Sequence, residues 1–426
     1  MIRLQPSRLR ILSAAALAGI IIGCVARAVK FLIARISALA AIGFKADHSN
    51  WWLLLLGVAS IVLSGLVVRK IVRRPLEHAT GRIKSDLANG IAPLPRRLMI
   101  APVGVNALTL GLGGSAGAEG PIAYTGAAIA SRIAKRLNLT HEQTLAFLAC
   151  GAGAGIAAIF KAPIGGMFFT IEVLSYPLAP ALVLLLAVMC LFAGLTAYAA
   201  GGFIPEIMFT SPAGFDVKWL LPAVAIGIAC GVYSIYYKWC GSRTTAMFSR
   251  ISVPWKRNVA AGLALGVCLL LFPAIYGEGY GVLQKLLNGD SGSVTAGTFL
   301  GGMSGPGALA AVLAGILLIK SFATYTTNSG GGVAGEFAPT IFAGGMLGAL
   351  LAMGASAIPG LSAMPAGNYM VIAMAAAMAG IINAPLMAIF IVVEMTQSAI
   401  LLLPVCVASG ISCMIVNFGK FSKNVC

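Results

Sequence analysis

The fold is decided by the stretch Gly117-Ala118-Glu119-Gly120-Pro121 and by its counterpart in the second half of the chain, Gly335-Glu336-Phe337-Ala338-Pro339. Each stretch is followed by an Ala-Pro element, residues 161–172 and 383–394, in which a Glu stands nine residues after the Pro. The chain therefore contains a duplicated unit. Paired, interrupted apolar segments in corresponding halves are typical of a transport site near the middle of a bilayer.

The composition places the chain in a membrane. Of its 426 residues, 59% are hydrophobic and 10% are charged, and the mean hydropathy is +0.95. Soluble domains of this size lack such a composition, so we predict an all-α, multi-pass integral membrane protein. Several apolar stretches are too long for one span or are cut by Gly and Pro, which predicts more than about ten helices, some tilted or partial. Close packing on one helix face is expected from the pairs Gly113/Gly117, Gly151/Gly155 and Gly344/Gly348.

The net charge of +17 reflects topology rather than binding to nucleic acid. Basic residues cluster between apolar spans, in segments 3–10, 69–97 and 420–423, rather than along an aromatic-interleaved soluble face. The positive-inside tendency then places both termini in the cytoplasm. We interpret the first apolar stretch, about 11–44, as a transmembrane helix rather than a signal peptide. We expect the inner (plasma) membrane of a bacterium as the location and no cytoplasmic regulatory domain.

The sequence contains no recognisable catalytic motif. The nine cysteines and three histidines form no metal-ligand spacing, and there is no HExxH, GxSxG or phosphate-loop motif. We therefore predict no cofactor, no metal and no enzymatic activity. An intramembrane enzyme or sensor is kept as a third hypothesis, which the absence of halide flux would revive.

The two Gly- and Pro-punctuated joints are suited to binding an anion. A helix that begins inside the protein exposes unpaired N–H groups and the positive end of its dipole, and both stabilise a partly dehydrated anion. A tight packing turn is the alternative interpretation of each joint. An ionisable Glu119 in such a joint is costly and usually functional. Its carboxylate could compete with a mobile anion for the same N–H groups, or it could simply cap a helix.

These residues resemble the CLC family of chloride channels and anion/proton antiporters. Gly117–Pro121 is similar to the family's Gly-x-Glu-Gly-Pro motif, and 335–339 to its Gly-x-Phe-x-Pro motif. Similar matches are the two Ala-Pro elements and Gly277-Glu278-Gly279-Tyr280. The resemblance implies one transmembrane domain over 1–426, built as a bundle of tilted and partial helices in inverted repeats of about 11–205 and 215–420. It also implies a homodimer with an anion pathway in each subunit.

The resemblance assigns roles to individual positions. It makes Glu119 the gating glutamate, with Glu336 as a possible proton carrier, and it implies structural roles for Glu172 and Glu394. The positions expected to line the anion path are Thr80, Gly81, Gly117, Ala118, Gly120, Glu336, Phe337 and Ala338.

Several departures from the family pattern leave the subtype open. The Gly-Ser-Gly-Ile-Pro stretch is missing, and the nearest hydroxyl is that of Thr80, for which a helix N-cap role is the alternative. The late Tyr has no counterpart. Val173 stands where many antiporters have an inner glutamate, as in channel members and in the fluoride-exporting branch. Glu336 stands where most members are apolar, and it could instead pair with a basic residue.

Two transport hypotheses follow from this pattern. The first is a gated chloride or halide channel, which Val173 favours. The second is an antiporter that exchanges anions for protons, with fluoride as the alternative substrate, which Glu336 and the missing serine motif favour.

Overall fold

The computed structural model describes residues 8–45, 50–73, 79–177, 179–211, 214–299, 305–357 and 364–425. These residues form 17 α-helices. They are α1 (Arg8–Ala40), α2 (Trp52–Val67), α3 (Ala79–Ala88), α4 (Ala101–Gly111), α5 (Glu119–Arg136), α6 (His141–Phe160), α7 (Pro163–Phe168), α8 (Pro180–Ala200), α9 (Leu220–Ser249), α10 (Pro254–Leu271), α11 (Tyr280–Leu287), α12 (Gly292–Thr295), α13 (Pro306–Ser329), α14 (Phe337–Ser356), α15 (Ala366–Ile382), α16 (Pro385–Thr396) and α17 (Leu402–Val425). Two π-helical turns, Val68–Val72 and Phe169–Val173, extend α2 and α7. Short 3-10 turns occur at Arg96–Met99, Val217–Trp219, Pro273–Ile275 and Ala399–Leu401.

The predicted all-α membrane architecture is confirmed. Within the described residues, eight helices are long and apolar enough to cross a membrane. Three shorter apolar helices, Pro163–Val173, Ala366–Ile382 and Pro385–Thr396, are too short to do so alone and correspond to the expected partial helices. The 33-residue α1 is roughly 50 Å long, longer than a hydrocarbon core of about 30 Å, so it must tilt or project from it.

The two Ala-Pro elements have the same backbone path. α6 and α15 both end at a residue in the left-handed conformation, Lys161 (φ 55°) and Asn383 (φ 62°). The next residue is extended in each case, Ala162 (φ −127°, ψ 81°) and Ala384 (φ −138°, ψ 80°), because the Pro that follows excludes the helical conformation before it. That Pro then starts α7 or α16, where its missing N–H costs nothing.

The helix that starts at each joint, α5 or α14, packs closely on the next helix in the chain, α6 or α15. Gly151 and Gly155 of α6 lie against α5, and Gly344 and Gly348 of α14 lie against α15. A side chain at any of the four would collide with backbone atoms of the facing helix. These two predicted small-residue contacts are confirmed.

The third predicted glycine pair, Gly113/Gly117, is wrong as a helix face. α4 ends at Gly111, so both glycines lie in the joint that precedes α5. Gly113 has φ +105°, which a right-handed helix cannot continue. The spacing of four residues arises here from a turn, not from a helical surface.

The two Ala-Pro helices are joined by crossed glutamates. Glu172 accepts hydrogen bonds from the N–H groups of Leu386 (3.1 Å) and Met387 (2.7 Å) in α16. Glu394 accepts them from Ile164 (3.2 Å) and Gly165 (2.8 Å) in α7. Each carboxylate thus satisfies two N–H groups in the first turn of the other helix, the structural role expected for both glutamates.

Candidate functional site

The two joints contact each other in the buried interior of the protein. The Gly117 N–H donates to the Gly335 carbonyl (2.9 Å) and the Gly335 N–H to the Gly117 carbonyl (2.6 Å), as an isolated antiparallel bridge. α5 begins at Glu119 and α14 at Phe337, two residues beyond the bridge in each case. Two helix N-termini, with their unpaired N–H groups and positive dipole ends, therefore converge on one buried point.

The Glu119 carboxylate occupies this point. The residue is 1% exposed, and its Oε1 accepts a hydrogen bond from the Ala338 N–H of α14 at 2.8 Å. Within the described part of the chain, its Oε2 has no hydrogen-bond partner. A Cβ at Gly117 or Gly335 would overlap the carboxylate, so both glycines are required for it to fit.

A cavity of about 340 Å³ lies beside the bridge. Its lining residues are Ala79, Thr80, Gly81, Gly120, Val173, Asn328, Ala334, Gly335, Glu336, Phe337, Ile381 and Ile382. Five of the positions expected on the anion path lie here, namely Thr80, Gly81, Gly120, Glu336 and Phe337. The polar side chains of this lining belong to Thr80, Asn328 and Glu336.

The N-cap interpretation of Thr80 is wrong. Thr80 lies within α3, after Ala79, and therefore has helical backbone geometry rather than the extended geometry of a cap. The residue is partly exposed and lines the cavity. Thr80 therefore lies beside the joint, as a residue that supplies a ligand would have to.

The remaining predicted positions lie at the bridge itself. Gly117 forms the bridge, and Ala338 donates to Glu119. The Ala118 N–H donates to Glu278 Oε1 at 3.3 Å. Glu278 was not among the predicted site residues, although it belongs to the Gly277–Tyr280 stretch that resembles the family.

Lys30 and its partners were missed by the sequence analysis. The Lys30 Nζ lies 2.8 Å from Glu278 Oε2 and 2.8 Å from Glu206 Oε1, and Lys161 Nζ lies 3.5 Å from Glu206 Oε2. Burial raises the pKa of the Glu206 carboxyl, but the charges of Lys30 and Lys161 outweigh burial and leave that pKa below its ordinary value. The available signal was a basic residue inside the apolar stretch 11–44, which also contains Arg27 and Arg35, because intramembrane charges are usually paired.

Two other polar residues position the joints. Asn106 donates from Nδ2 to the carbonyls of Gly117 (3.2 Å) and Val333 (2.8 Å), and so holds both joints together. Tyr325 donates from its hydroxyl to Glu336 Oε2 at 3.0 Å. A polar residue in an apolar helix was the signal for both.

Metal ligation finds no support in the described ranges. No group of three or more His, Cys, Asp or Glu side chains among those residues is placed to hold an ion.

Comparison with known proteins agrees with this geometry. A sequence profile described as "Voltage gated chloride channel" matches residues 61–417. A putative chloride channel protein ClcB-like of Ralstonia nicotianae is 28% identical over 370 residues, 84% of this chain and 81% of the relative. The H(+)/Cl(-) exchange transporter ClcA of Klebsiella pneumoniae is 29% identical over 392 residues, 87% of this chain and 76% of the relative.

Two solved structures share the fold. The structure of a slow cyanobacterial Cl−/H+ antiporter has a TM-score of 0.78 at 23% identity and covers 97% of this chain and 95% of its own. A CLC-type fluoride/proton antiporter has a TM-score of 0.78 at 21% identity and covers 96% and 95%. At these identities the likeness shows the arrangement of helices only.

Proposed function

The chain belongs to the voltage-gated chloride channel family, and on that premise we propose that it carries anions, chloride by default, with Glu119 competing for the anion site. One observation carries the proposal. At the meeting point of two helix N-termini, the buried Glu119 takes one N–H, from Ala338, and leaves its second oxygen without a partner among the described residues. A carboxylate bound so incompletely is replaceable by a mobile anion.

The proposed cycle uses the charge of Glu119. As an anion, the carboxylate holds the Ala338 N–H by a charge-assisted hydrogen bond, which closes the path. Protonation turns the carboxylate into a weaker acceptor and lets a halide take the N–H. The halide reaches this point from the cavity, which Thr80 and Phe337 help to line. Anion passage and proton binding at Glu119 are thereby coupled.

Coupled fluoride/proton exchange is the second candidate. Among the described residues that line the cavity, Glu336 alone is acidic, and Val173 supplies no carboxylate there. Protons that reach Glu119 through this cavity would therefore pass by Glu336, whose carboxylate is hydrogen-bonded to Tyr325. Fluoride is the strongest hydrogen-bond acceptor among the halides, so it suits a cavity where a protonated Glu336 and the Thr80 hydroxyl are donors.

Flux measurements test the proposal. The purified protein is reconstituted in liposomes, and chloride or fluoride efflux is recorded together with internal pH. We expect halide efflux from the liposomes. If the protein is an exchanger, an imposed outward anion gradient should also drive protons into the liposomes against a pH gradient. Halide efflux without proton movement supports the channel. The absence of halide flux in both the parent and Glu119→Gln would reject an anion pathway and favour the enzyme or sensor hypothesis.

Assembly and location are proposed on the same premise. We propose a homodimer with a separate path in each subunit, located in the bacterial inner membrane. Light scattering of the detergent-solubilised protein gives the oligomeric state, and membrane fractionation gives the location.

A further inference from the structure

We propose that Glu278 is a second blocking carboxylate, held by Lys30, which closes the outer end of the anion path. This inference rests on the proposed function and extends it to how the anion leaves the site. Its basis is the contact of Glu278 with the joint itself, at the residue that directly precedes Glu119.

The two carboxylates occupy two N–H groups of the same site. Glu119 Oε1 accepts from the Ala338 N–H at 2.8 Å, and Glu278 Oε1 accepts from the Ala118 N–H at 3.3 Å. Both N–H groups belong to positions at the start of α14 or α5, where no intrahelical acceptor is available. An anion that uses both of these donors must displace both carboxylates, so displacing Glu119 alone leaves the site half closed.

Glu278 can leave Ala118 without losing its counter-charge. Its Oε2 is 2.8 Å from Lys30 Nζ, and Lys30 also lies over the Tyr280 ring at 4.8 Å. The bond to Ala118 is the longer of the two and goes to an uncharged donor, so it is the weaker one. Glu278 is flanked by Gly277 (φ 62°) and Gly279 (φ 83°), which allow the loop backbone to change conformation.

The position of Lys30 places this contact toward the outside. Lys30 lies in the second half of α1, whose amino terminus is predicted to be cytoplasmic. The cavity with Thr80 is bordered by α3, which carries the basic residues Arg82 and Lys84 of the predicted cytoplasmic side. Glu278 therefore lies at the outer end of the anion path. Lys30 is the cation beside the anion as it enters or leaves there.

A matched pair of variants tests the proposal. Glu278→Gln and Glu206→Gln each remove one carboxylate charge that lies 2.8 Å from Lys30, but only Glu278 contacts Ala118. Chloride binding is measured by calorimetry on the full-length protein in detergent, and chloride flux is measured in liposomes. Because a neutral amide is a weaker acceptor than a carboxylate, we expect Glu278→Gln to bind chloride about ten-fold more tightly. We expect Glu206→Gln to change the affinity much less, because it leaves the Ala118 N–H bound to Glu278.

The outcomes separate this inference from the proposed function. Equal affinity in Glu278→Gln and the parent, or an equal change in the two variants, overturns the second block. If Glu278→Gln does not fold, Glu278→Asp replaces it, because the shorter carboxylate keeps Lys30 but retreats from Ala118 and should also tighten binding. Chloride binding by Glu119→Gln without any effect at Glu278 overturns this inference alone. No binding or flux in any variant, Glu119→Gln included, overturns both.

Discussion

Two regions of this protein contain the same kind of hydrogen bond, but one region forms it completely and the other only in part. In both, a carboxylate from one half of the chain accepts from N–H groups in the first turn of a helix in the other half. Glu172 and Glu394 each use two oxygens on two N–H groups. Glu119 uses one oxygen on one N–H, and within the described ranges its second oxygen has no partner. From this difference we infer that a fully bonded helix-terminal carboxylate is a fixed cap, and we propose that the half-bonded Glu119 is a replaceable ligand.

Removing the charge of Glu119 gives the largest expected effect. Glu119→Gln keeps an acceptor for the Ala338 N–H but cannot bind and release a proton. In an exchanger, we expect anion-driven proton flux to fall about 100-fold or more while anion flux persists. In a channel, we expect anion flux to persist and to lose its dependence on pH. The measurement is internal pH in liposomes with a chloride gradient. A variant that couples and titrates like the parent would show that Glu119 is one more cap.

Substitution of the crossed caps, Glu172 and Glu394, should reduce stability and leave proton coupling intact. In Glu172→Gln or Glu394→Gln the new amide NH2 faces a backbone N–H, and one donor at the helix terminus is left without an acceptor. We expect each variant to lose about 2 kcal/mol of stability, with proton coupling unchanged. Thermal unfolding in detergent, followed by the flux assay on the surviving protein, makes the comparison. A loss of coupling at unchanged melting temperature would erase the distinction between the two regions.

The features that occur in both halves of the chain could be predicted from the sequence. The duplicated joints, the Ala-Pro elements and the position of Glu119 were all visible as motifs, because each depends on local Gly and Pro chemistry. The contact of Ala118 with Glu278 was not visible, since it joins residues 160 positions apart. Only the packing of α1 brings Lys30 to the same place. The Gly113/Gly117 prediction failed because a spacing of four residues does not distinguish a helix from a turn.

Glu336 sharpens the comparison between the joints themselves. It precedes α14 as Ala118 precedes α5, so only the second joint carries an acid at this position. Under proton exchange, Glu336→Gln should slow proton flux about ten-fold, because an amide cannot relay a proton. Anion binding should change little, since the Gln amide keeps a donor at the cavity lining. Initial rates of pH change in liposomes measure this effect. Unchanged coupling would place Glu336 outside the proton path and favour the channel.

The smallest expected effect concerns Thr80, the proposed replacement for the missing serine ligand. Thr80→Val keeps the shape of the side chain and removes its hydroxyl from the cavity. One net hydrogen bond is worth about 1 kcal/mol, so we expect chloride to bind about five-fold more weakly, with coupling unchanged. Calorimetry measures the affinity, and Ser85→Ala is the control, because Ser85 is an exposed hydroxyl on the same helix. Equal affinities for Thr80→Val and Ser85→Ala would show that the Thr80 hydroxyl does not bind the anion, and would leave the N–H groups at the joints and the other polar side chains of the cavity as its donors.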